Sequence, residues 1–236
     1  GQYGWIDTGS SRPEELSGRL SFFVLGRTAA SVHLELPEKR REICKVDVEV
    51  SAPTVHEGRK ALATKGSMVA DALRITARAK RATVVANAVE ALEAKQKVVI
   101  FVYMREQVDA IAKDIDKHTD CTIYAVHGDL SPNGRYEQAQ SFREANAPAC
   151  FVATIDSMGV ALSLVGAHLV LFGDVVPEPW KLLQAEKRTH RFDSIVRVIV
   201  RYFIAPGTID DGIAESVIEK IPIIEQTVGQ QGDADE

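Results

Sequence analysis

The chain has 236 residues, of which 45% are hydrophobic, and this content supports a packed core and excludes a disordered chain. Its formal net charge is −5 at pH 7, which argues against a protein that coats nucleic acid by bulk charge but is compatible with a local basic groove. The three cysteines lie far apart, with no CxxC and no Cys/His cluster, so we expect neither a zinc site nor a disulfide framework, as in a reducing intracellular compartment.

The first 80 residues are predicted to form a lead-in segment with one strand and a helical protrusion. Residues 1–20 are polar and turn-rich, and residues 21–33 favour a short helix. After Pro37, the stretch REICKVDVEVS alternates apolar and polar residues, which is typical of a strand. Residues 55–79 are alanine-rich and basic, so we expect one or two exposed helices there. Basic residues cluster at the end of this region: Arg74, Arg78, Lys80 and Arg81.

From Arg81 onward, strands and helices of 10–15 residues alternate, which predicts a parallel sheet with helices on both faces. The run KVVIFVYM is continuously apolar, as expected for a strand buried on both faces. Ser131 and Thr208 are predicted N-caps. The longest apolar run, residues 158–173, is too short and too interrupted for a membrane span, and a loop followed by a buried strand explains it better. The predicted helices are 82–96, 105–118, 131–146, 178–191 and 208–221, and the predicted strands are 97–104, 121–128, 149–154, 167–174 and 196–206.

Two loops at predicted carboxyl ends of strands carry candidate binding residues, because parallel sheets bind ligands beyond those ends. Thr154 ends a strand and Gly159 follows five residues later, and backbone amides near such a glycine can hold a phosphate. The alternative is a structural strand-to-helix turn. His127 and Gly128 end another strand, where the alternative is a partly buried histidine without a ligand. Arg135 is most simply a charge on a helix surface.

Two arginines three residues apart, Arg188 and Arg191, stand out in the stretch LLQAEKRTHRFDS. Residues i and i+3 share a face of a helix, and two guanidiniums on one face form a permanently charged fork that suits phosphate oxygens. The alternative is a solvated basic turn whose arginines pair with neighbouring carboxylates, namely Glu178, Glu186 or Asp193.

Taken in order, several stretches resemble the motifs of the second RecA-like lobe of a superfamily-two helicase. These stretches are KVVIFVYMREQVDAI, VHGDLSPNGRYEQAQSF, FVATIDSMGVALSLVGAHLVLFGD, QAEKRTHR and YFIAPGTIDDGIAESVIEKI. The chain is most similar to the Swi/Snf-like branch, in which the last motif reads Q-A-x-x-R-x-x-R-I-G-Q. Upstream, SFFVLGRTAASVHLELPEKRREICKV resembles the branch's F-M-L-R-R-T-K-x-x-V-x-x-x-L-P-x-K segment. MGVALS and APGTIDDGIAESVIEK lean toward the annealing-helicase sub-branch, which remodels branched DNA.

The resemblance implies an ATP site shared between two lobes and a DNA contact surface. Arg191 matches the arginine finger that stabilises charge on the transferring γ-phosphate, and Arg188 would face the same nucleotide. ATP with Mg²⁺ would be held mainly by an N-terminal RecA-like lobe, in the same protein or in trans, and this lobe would hold no metal of its own. The implied nucleotide-binding residues are Gln184, Arg188, Arg191 and Gly159, and the implied contacts to double-stranded or branched DNA are Thr154, His127, Gly128 and Arg135.

Departures from the family pattern qualify this assignment. The chain reads FDS after Arg191 where the family has I-G-Q, and Gly26 replaces the first arginine of R-R-T. It contains no GxxxxGK[ST] and no D-E-x-H element, so we expect no ATP hydrolysis by this chain alone. Because the chain begins with Gly, we expect a fragment of a longer protein.

The expected organisation is a lead-in segment (1–80), a RecA-like α/β lobe (81–224) and an acidic flexible tail (225–236). The expected function is the C-terminal half of an ATP-dependent DNA translocase inside the cell, with no membrane partner. The alternative is a catalytically inactive RecA-like scaffold that binds nucleic acid or protein. The retained RxxR favours the motor, and the altered FDS favours the scaffold.

Overall fold

The computed structural model describes Glu15, Arg19 and residues 37–49, 67–157, 162–176, 178–191, 194–214 and 217. The chain forms two compact units, one of residues 1–36 and 218–236 and the other of residues 37–217. In the first unit, Glu15 and Arg19 are helical and form an exposed ion pair. The helix predicted at 21–33 and the tail at 225–236 lie outside the described residues. The remaining description concerns the second unit.

A six-stranded sheet with every strand parallel to its neighbours forms the centre of the second unit. β2 lies inside the sheet, with β4 and β3 on one side and β5, β6 and β1 on the other. This arrangement confirms the predicted α/β fold with a central parallel sheet flanked by helices. The strands are β1 (Lys39–Lys45), β2 (Val98–Val102), β3 (Thr122–Val126), β4 (Ala149–Thr154), β5 (Leu169–Phe172) and β6 (Val198–Ile204).

Apolar strands and apolar helix stripes explain the core. Every residue of β2, β4 and β5 is buried, as their continuous apolar sequences predict. In the helix Arg105–Asp116, Val108, Ile111 and Ile115 repeat at helical spacing and face the sheet. A short 3₁₀ turn, Ile155–Ser157, follows β4, and residues 209–214 are helical. The helices are α1 (Ser67–Glu93), α2 (Arg105–Asp116), α3 (Pro132–Glu144) and α4 (Pro179–Thr189).

Both predicted N-caps are present. The Ser131 hydroxyl accepts a hydrogen bond from the backbone amide of Gly134 at 3.0 Å, and Pro132 is the first residue of α3. The Thr208 hydroxyl accepts from the amide of Asp210 at 3.2 Å and donates to the carbonyl of Ala205 at 2.7 Å. These caps fix where two helices leave the carboxyl edge of the sheet.

The region before residue 98 differs from the prediction. α1 is one continuous helix of 27 residues, because nothing between Ser67 and Glu93 is glycine or proline, and the boundary placed after residue 80 falls inside it. The helix ends at Glu93, and the turn that follows is closed at Lys95, which has a positive φ of 63°, with the amide of Gln96 bonded to the carbonyl of Ala91. β1 is an edge strand of the same sheet rather than part of a separate segment.

Candidate functional site

α4 presents two opposite faces, and the arginine motif lies on the more exposed one. Leu182, Leu183 and Glu186 are buried, whereas Gln184 is exposed and Arg188 is half-buried. Gln184 and Arg188 are four residues apart and therefore share a face. Arg191 follows the helix end at His190 and is also half-buried. We call Gln184, Arg188 and Arg191 the arginine patch.

The two arginines lie close enough to interact and lack acidic partners in the described part of the chain. Burial and the neighbouring charge of Arg191 lower the pKa of Arg188. The Nε atom of Arg188 is buried and makes no hydrogen bond. No described carboxylate forms an ion pair with either guanidinium. Two unneutralised cations with an unused donor are chemically suited to an anion such as a phosphate.

Two of the three carboxylates that could have neutralised the arginines have other partners. Glu178 lies 3.6 Å from Lys181, and Glu186 is bonded to residues of β1 and β6. Asp193 lies outside the described residues. Neither Glu178 nor Glu186 pairs with Arg188 or Arg191. The alternative of an internally paired basic turn is therefore wrong for these two carboxylates.

Glu186 is held in a buried cluster that the sequence did not reveal. Its carboxylate accepts hydrogen bonds from Lys39 at 2.8 Å, from Nε and Nη2 of Arg41 at 2.8 Å each and from the hydroxyl of Tyr202 at 2.5 Å. Burial alone would raise the pKa of Glu186, but the hydrogen bonds and charges of Arg41 and Lys39 outweigh burial and lower it. The carboxylate is therefore ionised and firmly held.

One turn later, a second contact joins α4 to the residues before β1. The Nε2 atom of His190 lies 2.7 Å from the carbonyl oxygen of Pro37, and because a carbonyl only accepts, the ring nitrogen donates. We call Pro37, Lys39, Arg41, Glu186 and His190 the β1 clamp. The only sequence signal for this clamp is the LPEKRR stretch within the upstream resemblance, which implied no role for these residues.

A second group of candidate residues lies at the carboxyl ends of β3 and β4, which are neighbours in the sheet. Thr154 is buried, and its carbonyl accepts a hydrogen bond from the Ser157 hydroxyl at 2.8 Å. Arg135 donates through Nη1 to the carbonyl of Ser157 at 3.1 Å, so it braces the turn after β4 and is not a free surface charge. Gly159 lies outside the described residues.

His127 and Gly128 border the same edge. The Nδ1 atom of His127 is buried without a hydrogen-bond partner, and its Nε2 atom lies 3.9 Å from Asp109. Gly128 is exposed, and a Cβ placed there would meet no atom within 4 Å. We call Thr154, His127, Gly128 and Arg135 the edge patch.

The structure does not join the arginine patch and the edge patch into one cluster. α4 begins at the same edge, where Lys181 lies 2.9 Å from Asp156, but Arg188 follows about two turns later, or about 10 Å along the helix. No described hydrogen bond or ion pair links the two patches. They are separate surfaces, each able to contact its own ligand.

The basic residues that cluster between Arg74 and Arg81 in the sequence do not form a free cationic surface. Lys80 is completely buried and lies 2.6 Å from Asp210. The three arginines are already ion-paired: Arg74 with Asp71 and Glu106, Arg78 with Glu106, and Arg81 with Asp114. Internal pairing therefore removes most of the positive charge that the sequence suggested.

Comparison with known proteins finds similarity to helicases. Residues 80–193 match the family model of the helicase conserved C-terminal domain. The matched region contains both patches and most of the sheet.

The chain is also similar to individual proteins and to a solved structure. The SWI/SNF-related matrix-associated actin-dependent regulator of chromatin subfamily A-like protein 1 of Xenopus tropicalis is 27% identical over 95% of this chain, which spans only 25% of that protein. An uncharacterized ATP-dependent helicase of Mycoplasma pneumoniae is 27% identical over 59% of this chain and 13% of its own length. The crystal structure of the C-terminal part of the Fun30 ATPase domain is 24% identical, with a TM-score of 0.48, and covers 52% of this chain and 39% of that one.

The described residues hold no group of three or more His, Cys, Asp or Glu side chains that could bind a metal ion. Among the helices described, none is long and apolar enough to cross a membrane.

Proposed function

We propose that the lobe is half of an ATP-dependent DNA translocase or remodelling motor that works inside the cell, and that its arginine patch completes the ATP site of an N-terminal RecA-like lobe. The observation that carries the proposal is the pair of half-buried arginines without carboxylate partners among the described residues. Two cations held close together repel each other, and an anion between them would relieve that repulsion. The triphosphate of ATP supplies such an anion.

Each residue of the arginine patch has a distinct role in this proposal. Arg191 follows the helix end and acts as the finger, placing its guanidinium against the charge that develops on the transferring phosphoryl group. Arg188 uses its buried, unbonded Nε to donate to the same nucleotide. Gln184, exposed on the same face, helps to orient the nucleotide, together with the loop that contains Gly159. The N-terminal lobe would bind Mg²⁺, which neutralises phosphate charge when bound.

The edge patch would contact the backbone of double-stranded or branched DNA. Gly128 leaves its backbone open to a close approach, and the buried turn at Thr154, braced by Arg135, presents a fixed surface. Such contacts position a protein on DNA without reading sequence. We therefore expect weak, salt-sensitive and sequence-independent DNA binding, because the net charge is negative and the Arg74–Arg81 region is internally paired. The sequence features that resemble annealing helicases favour branched DNA.

The test uses a two-lobed protein, in which this lobe is joined to the N-terminal RecA-like lobe that would contain the P-loop. Arg191→Lys should lower DNA-stimulated ATP turnover by about a thousandfold, because lysine keeps the charge but loses the planar fork. The melting temperature and DNA affinity should hold, because no described carboxylate pairs with Arg191. Arg197→Lys is the matched control, since this exposed arginine pairs with Glu38 and should affect neither measurement. The isolated chain should show no turnover with or without DNA.

The alternative is a catalytically inactive scaffold, which the FDS sequence after Arg191 favours. The same assay separates the two functions. A scaffold would bind DNA or protein while Arg191→Lys left turnover unchanged or while no turnover existed at all. Loss of folding stability together with activity would instead assign Arg191 a structural role and refute the finger.

A further inference from the structure

The β1 clamp holds the part of α4 that carries Arg188. Glu186 and His190 are four residues apart and share the face that meets the residues at the start of β1. Arg188 lies two residues from each, about 200° around the helix, and therefore points away from that face. A rotation of α4 that moved Glu186 would swing Arg188 by the same angle.

Arg188 has few contacts of its own to resist such a rotation. Its backbone carbonyl accepts a hydrogen bond from the amide of Leu164 at 2.8 Å, but its Nε atom is unbonded. Beyond the helix, Arg191 donates only its backbone amide to the Ser194 hydroxyl, at 2.8 Å, among the bonds of the described residues. The strongest polar contacts near the arginines are those of the β1 clamp on the opposite face.

We propose that the β1 clamp is a positioning device for the arginine patch. Lys39 and Arg41 fix the rotation of α4 through Glu186, and the bond from His190 to Pro37 fixes the chain where it leaves the helix. Both guanidiniums are thereby kept on the nucleotide-facing side, so the inference rests on the proposed function of the arginine patch.

The clamp also keeps a carboxylate away from the arginines. Glu186 is two residues from Arg188 and five from Arg191, and without a partner its charge would act on both guanidiniums through space, although the helix turns its side chain to the other face. Two cations from β1 satisfy Glu186 instead, one of them through the two parallel bonds of a guanidinium fork. The upstream LPEKRR stretch, through Lys39 and Arg41, thus supplies charges that leave the arginine patch free for a phosphate.

Chemical modification of arginine in the 236-residue chain tests the inference directly. Phenylglyoxal reacts with accessible guanidiniums, and peptide mass spectrometry gives the rate at Arg188 and Arg191. Arg41→Met should raise the Arg188 rate by about tenfold, because removing one partner of a buried ion pair loosens the element that it holds. Arg41→Lys should raise it less, since it restores the charge without the fork. Lys39→Met, which removes a single bond, gives a milder variant should Arg41→Met fail to fold.

Arg201→Met is the matched control. Arg201 is also a half-buried arginine of this sheet, bonded to Glu42 and Asn87 at 2.9 Å each, but neither of these partners lies on α4. The Arg201→Met variant should lower the melting temperature about as much as Arg41→Met does, and it should leave the rate of phenylglyoxal modification at Arg188 unchanged. Equal Arg188 rates in the two variants would overturn the inference.

Turnover of the two-lobed protein separates this inference from the proposed function. Arg41→Met should lower kcat about tenfold with little change in KM for ATP. A displaced arginine loses more of its stabilisation of the transition state than of its contribution to ATP binding in the ground state. Arg188→Ala reports on the proposed function alone. If Arg188→Ala keeps full turnover, the nucleotide role of Arg188 is wrong, while the modification rates still decide whether the clamp positions it.

Discussion

Replacing Asp210 with alanine should be one of the most damaging single changes in this lobe. Asp210 Oδ2 lies 2.6 Å from Lys80 Nζ, with each side chain 1% exposed. The same carboxylate accepts the backbone amide of Ala205 at 3.1 Å. Removing one partner of a buried ion pair costs about 3–5 kcal/mol, because the remaining charge stays buried and uncompensated. That is a large fraction of the roughly 5–15 kcal/mol by which a domain is stable.

Two neighbours of Lys80 set the size of the loss. Its ammonium group also donates to the carbonyl of Phe203 at 3.0 Å, and the charge of Asp174 acts on the same cluster. Since Asp174 is a second carboxylate available to Lys80, we expect a loss near the lower end, about 3 kcal/mol.

Urea unfolding of the 236-residue chain, with free energies extrapolated to water, measures this loss. Arg78→Ala is the control, because it removes an exposed ion pair with Glu106 and should cost about 1 kcal/mol or less. The double variant Lys80→Met/Asp210→Leu should recover most of the loss, because well-packed apolar residues can replace a buried ion pair. An Asp210→Ala cost no larger than that of Arg78→Ala would refute the reasoning.

Two further predictions concern the carboxyl edge. Burial raises the pKa of Asp174, although the charge of Lys80 and a hydrogen bond from the Tyr103 amide lower it in part. A carboxyl with a raised folded-state pKa stabilises the fold below its unfolded pKa of about 3.9, and this contribution is lost as the pH rises through the higher folded value. Asp174→Asn should therefore gain stability relative to the parent as the pH rises from 4 toward neutrality, and melting temperatures across that range check it; parallel curves would contradict it. Gly128→Ala should leave the melting temperature unchanged, because its Cβ meets no atom within 4 Å, but should weaken DNA binding if the backbone approaches a phosphate. Duplex titration at two salt concentrations measures that effect, and unaltered affinity would remove Gly128 from the DNA surface.

Most of the fold could be predicted because its signals are local. The continuous apolar runs of β2 and β4 fit strands buried on both faces, and Ser131 with Pro132 marks a helix start from two adjacent residues. The continuous α1 could not be predicted, since its first half is alanine-rich and basic and therefore suggests an exposed protrusion. Lys80 is buried only because Asp210, 130 positions later, lies beside it.

Only part of the geometry of the arginine patch could be predicted. The spacing of Arg188 and Arg191 indicated a shared helix face. However, α4 ends at Thr189, so Arg191 lies beyond the helix and Gln184 is the residue that shares a face with Arg188. The partners of Glu186 could not be predicted, because Lys39 and Arg41 lie more than 140 positions earlier and reach it only through the pairing of β1 with β6. Lysine and arginine in a polar stretch otherwise suggest a solvated surface.

Two of the three buried acidic side chains among the described residues, Glu186 and Asp210, depend on residues before position 81. Asp210 is neutralised by Lys80 of α1, and Glu186 by Lys39 and Arg41 of β1. A folding unit that began at residue 81 would keep both carboxylates in the interior and lose every cation that neutralises them, which is the most costly way to break a buried ion pair. Lys39, Arg41 and Lys80 therefore belong to the lobe, although they precede the boundary predicted at residue 81. Their charges stabilise the sheet edge and, through Glu186, leave the arginine patch without an internal partner.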